Sequence, residues 1–287
     1  MRINLKKPKV SVVVPTYNSE STLSECLKSV YNQSYPYHET IVVDSFSHDN
    51  TVNIAKGFGA IIIQRKCNPA VARNVGVASS TGQYVLFLDS DQVLSVSVIE
   101  ECVEKSMADD TGMVRIPEVF IGKGFWSHCS AVWKNSYGKV EQAYQRGQNI
   151  IYGEPRFFIK EQIVRAGMFN DRLLWGEDYD LHKRMNKMRI KEATCESELY
   201  HFEPTSIGKI LSKLFRYGKS LQDFRQDGGR CLFLLLLNHS LLTLKMVARD
   251  YRKSPATIMG CVILLFLKTY YLTIGLLVSL LNVESKE

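Results

Sequence analysis

The sequence lacks the short signatures of several large protein classes. No GxGxxG motif follows its first predicted strand and no GxxxxGKS or GxxxxGKT motif occurs anywhere, which removes the main support for a dinucleotide dehydrogenase or a P-loop nucleotidase. No CxxC pair indicates zinc, and the seven cysteines are an odd, scattered set, so we expect reduced thiols in the cytosol. The first ten residues lack the apolar core of a secretory signal, so we expect the domain that follows not to be exported.

The chain does have a large apolar share and an excess of positive charge. Its 287 residues, 45% of them hydrophobic, can bury the core of one large or two modest domains. The net charge of +7 fits nucleic acid, an anionic membrane face or a phosphorylated substrate equally well. Charge alone therefore selects no partner.

The first half alternates β-branched runs with helical patterns. This alternation predicts an α/β fold in which helices flank a mostly parallel sheet. The predicted strands are 10–18, 39–47, 60–66 and 83–89. Helices are predicted after the first strand with Ser19 or Ser21 as the cap, then up to Gly57 or Gly59, and then at 69–79.

Polar side chains follow three of these strands. Because open parallel sheets bind ligands at the carboxyl ends of their strands, we expect these side chains to form one site. They are Thr16, Tyr17 and Asn18, then Asp44, Ser45 and Ser47, then Asp89, Ser90 and Asp91.

Asp89 and Asp91 end a strand that should be buried. Acids in this place often cap the next helix, but Ser97 and Glu100 form a predicted capping box there. Two carboxylates so close repel each other unless a cation lies beside them. Mg²⁺ or Mn²⁺ is the predicted cation, because these ions take few protein carboxylates and complete their shell with water and substrate phosphates. Such an ion would also neutralise charge on a departing diphosphate.

Three further residues could contact a nucleotide. Asp44 and Asp49 could accept hydrogen bonds from a base or ribose, although Asp49 could equally cap the next helix. Arg73 lies near the start of a predicted helix, where a guanidinium and free backbone N–H groups could hold a diphosphate. A plain surface charge is the alternative for Arg73.

Four segments together resemble a known family. In chain order they are VVVPTYNSESTLSECLKSVYNQSY, IVVDSFSHDNT, NPAVARNVGVASSTGQYVLFLDSDQ and FNDRLLWGEDYDLHKRM. They are similar to the successive signatures of family 2 glycosyltransferases, which have the GT-A fold. The resemblance covers roughly residues 10 to 220. It implies an inverting transfer of a sugar from a nucleoside diphosphate donor, usually a UDP-sugar, with Mg²⁺ or Mn²⁺.

The resemblance also implies roles for individual residues. Tyr17 would lie against the base, Asp44 would read the base edge, and Arg73 would approach the diphosphate. The implied metal ligands are Asp89, Asp91 and His201, although a single histidine is more often structural. The full nucleotide-binding set is Pro15, Thr16, Tyr17, Asn18, Glu20, Asp44, Asp49, Arg73, Asp89 and Ser90.

The pair Glu177 and Asp178 matches the ED motif of the family. The match implies that Asp178 is the general base, since an attacking acceptor hydroxyl must lose a proton and a positioned carboxylate can take it. The alternative is that Glu177, Asp178 and Asp180 only complement the N-terminal dipole of their helix. Two features depart from the family: Gln92 stands where a further acid is common, and 113–150 matches no known pattern, so the acceptor is not readable.

The last third of the chain is apolar. The pattern at 206–221 predicts a basic amphipathic helix suited to a membrane surface, with packing on its own domain as the alternative. Residues 256–281 are apolar enough to span about 30 Å of hydrocarbon. Lys268 near their middle costs on the order of 3 kcal/mol, while each large apolar residue returns roughly 0.3 to 0.6 kcal/mol. We expect 231–249 to lie at the cytosolic interface and 256–281 to span or re-enter, with burial in a homodimer as the alternative.

The predicted division is a GT-A catalytic domain at 1–222 and a membrane-associated helical region at 223–287. The nucleotide-binding half would be 10–110 and the acceptor half 111–222. We predict a metal-dependent inverting glycosyltransferase on the cytosolic face of the cell membrane, with a lipid-linked or surface-glycan acceptor and no nucleic acid partner. Two other classes remain open: a non-catalytic sugar-nucleotide-binding scaffold, and a sugar nucleotidyltransferase, which would need a Gly-rich basic loop where PTYNSES stands.

Overall fold

The structure is a computed structural model that describes residues 7–108, 110–144, 154–173, 176–220 and 229–284. The chain divides into two compact units. The first comprises Met1–Glu118 and Gly153–His201, and the second comprises Val119–Tyr152 and Phe202–Glu287. The boundary predicted at 222 lies outside the described residues, so the predicted domain limits stay a prediction.

A seven-stranded sheet with the order β3-β2-β1-β4-β8-β6-β9 forms the centre of the first unit. Strand β1 pairs in parallel with β2 and β4, whereas β8 runs antiparallel to β4 and β6. The predicted mostly parallel sheet is confirmed, and the four predicted strands end two or three residues earlier than expected. The strands are β1 Val10–Thr16, β2 His38–Asp44, β3 Ile61–Gln64, β4 Tyr84–Phe87, β6 Met113–Arg115, β8 Phe157–Ile159 and β9 Glu192–Thr194.

Helices cover both faces of this sheet, as its side-chain alternation requires. Val12 and Val14 of β1 pack with one set of helices, and Val13 between them packs with another. The first set is α1 Leu23–Tyr31, α2 Thr51–Gly57 and α4 Val98–Ala108, and the second is α3 Pro69–Ser79, α6 Lys160–Arg165 and α7 Glu177–Lys187.

Helix α3 packs closely on β1 because Gly76 has no side chain. A Cβ at Gly76 would lie 2.2 Å from Val13 Cγ1, so any larger residue would push the helix away. Arg73 lies about one turn earlier on α3 and is itself buried. The close approach therefore sets the height of Arg73 above the strand ends.

Two predicted helix caps are wrong. Helix α1 follows Thr22, without a side-chain cap, and the Ser19 hydroxyl instead accepts a hydrogen bond from Ser90. Helix α4 begins after Ser97 as expected, but the Ser97 hydroxyl bonds that of Ser197, and Glu100 accepts a bond from Ser34. In both cases tertiary partners occupy the side chains that a local cap would need.

A small second sheet has the order β5-β10-β7. Strand β5 (Gln92–Leu94) pairs antiparallel with β10 (Leu199–Phe202), which places Gln92 opposite His201. Strand β7 is Glu118–Ile121, and the limits of the two units fall within β7 and β10.

The second unit contains four helices among its described residues: α5 Phe125–Tyr144, α8 Ile207–Ser220, α9 Gly229–Asp250 and α10 Pro255–Glu284. The predicted helix at 206–221 is confirmed as α8, and it packs against α10 within its own unit. A Cβ at Gly218 would lie 2.3 Å from the carbonyl oxygen of Leu272, so the two helix backbones are in contact. Of the described helices, only α10 contains a segment, Pro255–Ser279, that is long and apolar enough to cross a membrane.

Candidate active site

The three polar strand ends meet at one edge of the large sheet, as predicted. Thr16 at the end of β1 pairs with Asp44 at the end of β2, and the amide of Leu88 beyond β4 donates to the carbonyl of Val13. Asp44 is fully buried and accepts four hydrogen bonds. A carboxylate offers about four acceptor positions, so Asp44 fastens the strand ends together. Its predicted contact with a base stays a prediction.

The loops that follow β1 and β2 are tied to each other by hydrogen bonds. Asn18, which adopts a left-handed backbone with φ of 50°, accepts a bond from the His48 amide at 2.9 Å. Ser47 Oγ accepts a bond from the Asn18 amide at 2.8 Å. Between Pro15 and these contacts, the Tyr17 side chain remains 59% exposed. The loops thus hold an aromatic ring at the surface, where a planar ligand could stack on it.

Glu20 and Asp49 complete this connection. Glu20 accepts a hydrogen bond from the Asn50 amide at 3.0 Å, and Asp49 accepts one from the Glu20 amide at 3.1 Å. Asp49 also accepts bonds from the amide and hydroxyl of Thr51, at the start of α2. Asp49 therefore bonds the first residue of α2, although the N-cap of this helix is Asn50, and its contact with a nucleotide stays a prediction.

Asp89 lies between two arginines. Arg73 Nη2 donates to Asp89 Oδ1 at 2.9 Å, and Arg156 Nη1 donates to Asp89 Oδ2 at 3.3 Å. Burial alone would raise the pKa of Asp89, but the two guanidinium groups outweigh it and hold that pKa well below its usual range. Asp89 is therefore an ionised carboxylate whose two oxygens both have cationic partners.

Asp91 belongs to a second charged group, which His201 connects. His201 Nε2 lies 3.3 Å from Asp91 Oδ2, and His201 Nδ1 lies 2.5 Å from Glu118 Oε1. Burial would lower the pKa of His201, but Asp91 and Glu118 raise it to about 9. Gln92 is fully buried beside them, where its amide accepts from Asp89 N and donates to Glu118. The neutral amide at position 92 thus accepts from the backbone of Asp89 and donates to the carboxylate of Glu118, and a carboxylate in its place would repel Glu118.

The residues around Asp91 fit a divalent cation in part. Carboxylate and imidazole are acceptable ligands for Mn²⁺, which would take its other ligands from water and from phosphate oxygens. No cluster of three His, Cys, Asp or Glu side chains suited to a metal occurs among the described residues. Asp89 bonds two arginines and His201 lies beside Asp91, and the predicted metal ligands Asp89, Asp91 and His201 all stay a prediction.

Glu177 and Asp178 open helix α7 on the other side of Arg73. Arg73 Nη1 donates to Glu177 Oε1, so one guanidinium links the start of α7 to Asp89. Asp178 lines a cavity of about 20 Å³ together with Arg73, Arg156 and Glu154. Burial and then the charge of Glu177 raise the pKa of Asp178 to about 6, and Arg73 opposes part of this rise. A cavity of this volume holds about one water-sized group.

The next acid on α7 has a different partner. Asp180 Oδ2 accepts bonds from Nε and Nη2 of Arg184, four residues later on the same helix. His182 lies further along, between Glu154 and Glu192, with 2.7 Å from its Nε2 to Glu192 Oε2. Asp180 thus forms an ion pair within its own helix. Among these first-turn acids, Asp178 is the one that lines the cavity.

Sequence reasoning missed three residues of this site: Arg156, Glu118 and Glu154. Arg156 lies just before β8, and its carbonyl accepts from the Phe87 amide, so the antiparallel pairing of β8 with β4 places it beside Asp89. Glu118 reaches His201 from the first residue of β7. A positive residue before the strand FFI is the one local signal, and it does not reveal the partner strand.

Comparisons with known proteins agree with this architecture. Mannosyltransferase PcManGT of Pyrobaculum calidifontis, in complex with GDP-Man and Mn²⁺, superposes with a TM-score of 0.63 and 20% identity over 97% of this chain and 88% of that one. The 1–349 fragment of TarS from S. aureus, in complex with UDP, superposes with a TM-score of 0.56 and 20% identity. The match covers 86% of this chain and 72% of that one. These likenesses show that the first unit has the GT-A fold.

The family follows from the sequence. The model of glycosyl transferase family 2 matches residues 11–166, more than half of the chain, and the chain belongs to that family. Glycosyltransferase AglE of Haloferax volcanii is 25% identical over 74% of this chain and 72% of its own length. The poly(ribitol-phosphate) beta-glucosyltransferase of Bacillus spizizenii is 38% identical over 96 residues, which are only 15% of that protein. The protein is a glycosyltransferase, as the resemblance implied.

Proposed function

We propose that this protein transfers a sugar, with inversion, from a nucleoside diphosphate donor, most readily a UDP-sugar, to a hydroxyl or phosphate acceptor. The observation that carries the proposal is the linked charge arrangement of the first unit. Arg73 contacts both Asp89 at the strand end and Glu177 of the ED pair, and it lines the same cavity as Asp178. One unit thus brings together groups suited to a diphosphate and a base suited to an acceptor.

The loops after β1 and β2 suit the nucleoside of the donor. Tyr17 offers an exposed ring for stacking on the base, beside loops that hydrogen bonds hold in place. Pro15, Thr16 and Asn18 flank Tyr17 along the chain and Ser90 lies between Asp89 and Asp91, and we assign all four to the donor site. Two structural neighbours, with UDP or GDP-Man bound, support a nucleoside diphosphate as the ligand class.

The arginines and Asp91 suit the diphosphate. Arg73 and Arg156 present guanidinium groups at the strand end, and a guanidinium binds phosphate oxygens well. Asp91 and His201 would hold Mg²⁺ or Mn²⁺, with Asp89 as the further predicted ligand. When bound, the ion neutralises charge on the departing diphosphate.

Asp178 suits the acceptor. The oxygen of an acceptor hydroxyl would attack the anomeric carbon, forming the new C–O bond on the face opposite the diphosphate. The bond to the phosphate oxygen would break, and its electron pair would leave with the diphosphate. Asp178 would take the hydroxyl proton, and a carboxylate with a pKa of about 6 is ionised at neutral pH yet basic enough to accept it.

The acceptor we propose is a lipid-linked or surface-glycan intermediate at the cytosolic face of the membrane. The segment Pro255–Ser279 of α10 is long enough and apolar enough to reach hydrocarbon, and α8 carries a basic face beside it. Related proteins named for poly(ribitol-phosphate) and teichoic acid synthesis support a polymer at the cell surface. Within this proposal α9 lies at the cytosolic interface of the membrane. Burial of α9 and α10 in a homodimer is the alternative.

The test is donor-dependent release of nucleoside diphosphate. The purified chain would be incubated with UDP-, GDP- and dTDP-sugars and Mn²⁺, and the released diphosphate would be measured with and without chelator. We expect release from one donor class, its loss with chelator, and its loss in Asp91→Ala. Glu104→Ala, which removes an exposed acid of α4, is the matched control and should keep wild-type release. Absence of release from every donor, or equal release by Asp91→Ala, would contradict the proposal.

A further inference from the structure

The second unit contains a cavity of about 90 Å³ that the transfer reaction does not use. It lies among α5, α8 and α10, and most of its lining is apolar, including Trp133, Ile210, Leu214 and Leu264. One water needs roughly 10–15 Å³, so several water-sized groups fit. A cavity of this size with an apolar wall suits a short length of one hydrocarbon chain and excludes a second chain.

The same cavity is lined by three lysines and one acid. Lys134 Nζ lies 2.5 Å from Glu203 Oε1, so these two charges neutralise each other. Lys213 reaches the cavity from α8, over the ring of Tyr217 at 6.0 Å. The lining, three lysines against one glutamate, therefore carries a net positive charge at a mostly apolar wall.

Lys268 is the most informative of these groups. It lies on α10 in the middle of the apolar segment Pro255–Ser279, is only partly exposed, and lines the cavity. It makes no hydrogen bond or ion pair with any residue that the structure describes. A charged amine on an apolar helix is costly unless an anion accompanies it.

We propose that this cavity binds a single-chain lipid phosphate, with the phosphate at Lys268 and the first methylene or prenyl units against the apolar wall. Charge complementarity selects an anionic head, and the size and apolarity of the cavity select one chain. The inference goes beyond the proposed function, because it concerns binding in the second unit and requires no sugar transfer.

The experiment measures binding of dodecyl phosphate to the full-length chain by isothermal titration calorimetry in a non-ionic detergent. Dodecanol, dodecyltrimethylammonium and inorganic phosphate are the comparison probes, so that chain and head group are varied separately. We expect one dodecyl phosphate to bind per chain. Each comparison probe lacks either the anionic head group or the hydrocarbon chain, so each should bind at least about tenfold more weakly. Preferential binding of inorganic phosphate alone would overturn the lipid part of the proposal.

Four variants locate the site. Lys268→Gln should weaken dodecyl phosphate binding by about tenfold, while Lys253→Gln, at an exposed position between α9 and α10, should not. Tryptophan fluorescence gives a second measurement of binding. Dodecyl phosphate should change the fluorescence of the wild type and not that of Trp133→Phe, because Trp133 lines the cavity. Leu264→Trp would fill the cavity and should compete with the chain, which covers the case in which Lys268→Gln fails to fold. Equal binding by Lys268→Gln, or tighter binding of dodecyltrimethylammonium, would overturn the proposal. Donor-dependent diphosphate release, measured in parallel, reports on the first unit independently.

Discussion

The carboxyl end of β4 and the first turn of α7 each present a partly buried acid, and the two acids differ in charge state. At β4, Arg73 and Arg156 hold the pKa of Asp89 well below its usual range, despite burial. At α7, burial and the neighbouring Glu177 raise the pKa of Asp178 to about 6. Arg73 contacts both regions but donates its hydrogen bonds to Asp89 and Glu177, which leaves Asp178 less well compensated.

The difference teaches how one charged network can hold two functions. A carboxylate with two cationic partners keeps its charge at any physiological pH and is a poor proton acceptor. A carboxylate with a raised pKa is a better base, at the cost of some stability. We therefore expect Asp89 to act as a permanently charged group and Asp178 to accept the proton. Four experiments can test this difference.

The largest expected effect is the loss of the proposed base. Asp178→Asn keeps the size of the side chain but cannot accept the proton, so we expect kcat to fall roughly 10²- to 10⁴-fold. Donor affinity, measured by titration calorimetry with the nucleoside diphosphate, should change little.

Asp180→Asn is the matched control, because Asp180 lies two residues later in the same helix turn and bonds Arg184. It should retain most of the wild-type kcat. Equal losses in both variants would mean that these acids act only on the N-terminal dipole of α7, and the contrast with Asp89 would then have no catalytic meaning.

The second experiment removes the link between the two regions. Arg73→Gln would leave the buried Glu177 without its cation, while Asp89 keeps Arg156, and breaking a buried pair in this way costs about 3–5 kcal/mol. Urea unfolding should show this loss in the free energy of unfolding. Arg165→Gln, at an exposed position of α6, should stay within about 0.5 kcal/mol of wild type. A small effect at Arg73 would show that solvent or Arg156 replaces it.

Much of this arrangement could be predicted from the sequence, because the relevant signals are local. The alternation of buried strands and helices predicts the sheet, and the parallel order then brings Thr16, Asp44 and Asp89 to one edge. The ED pair at Glu177 is a contiguous motif at a helix start. Each of these inferences needs only the period of a pattern or the direction of a strand.

The remainder depends on contacts between distant segments. Arg156 reaches Asp89 only because β8 pairs antiparallel with β4, some 70 residues earlier, and no local pattern encodes that pairing. The caps predicted at Ser19 and Ser97 are wrong for the same reason, since Ser90 and Ser197 compete for those hydroxyls. A serine hydroxyl bonds the partner that the tertiary structure places beside it, and that partner is not visible in the local sequence.

The third experiment concerns the pH dependence of stability near Asp178. His182 is held between Glu154 and Glu192, and although burial would lower its pKa, these acids raise it to about 9. A folded-state pKa above the unfolded value of about 6.5 means that this contribution is complete below pH 6.5 and is lost as pH rises through 9.

We therefore expect the free energy of unfolding to fall by about 1–3 kcal/mol between pH 6.5 and 9.5, through His182. His182→Gln should remove that part of the pH dependence in urea titrations at the two pH values. His48→Gln, at an exposed position, should keep it. An unchanged slope in His182→Gln would show that the two glutamates do not hold a proton on this imidazole.

The smallest expected effect is a displacement of the acidic limb of activity. Because Asp178 must be ionised to accept a proton, kcat should fall about tenfold per pH unit below its pKa of about 6.

Glu154 shares the cavity with Asp178, and its negative charge contributes to the raised pKa of Asp178, after burial and Glu177. Glu154→Gln removes that charge while His182 keeps its bond to Glu192, so the protonated form of Asp178 is less favoured and the limb should move to lower pH, by less than about one unit. Glu161→Gln, at an exposed position of α6, should leave the limb in place. A limb that moves to higher pH in Glu154→Gln would show that Glu154 lowers the pKa of Asp178 by positioning a donor, and the raised pKa would then come from burial and Glu177 alone.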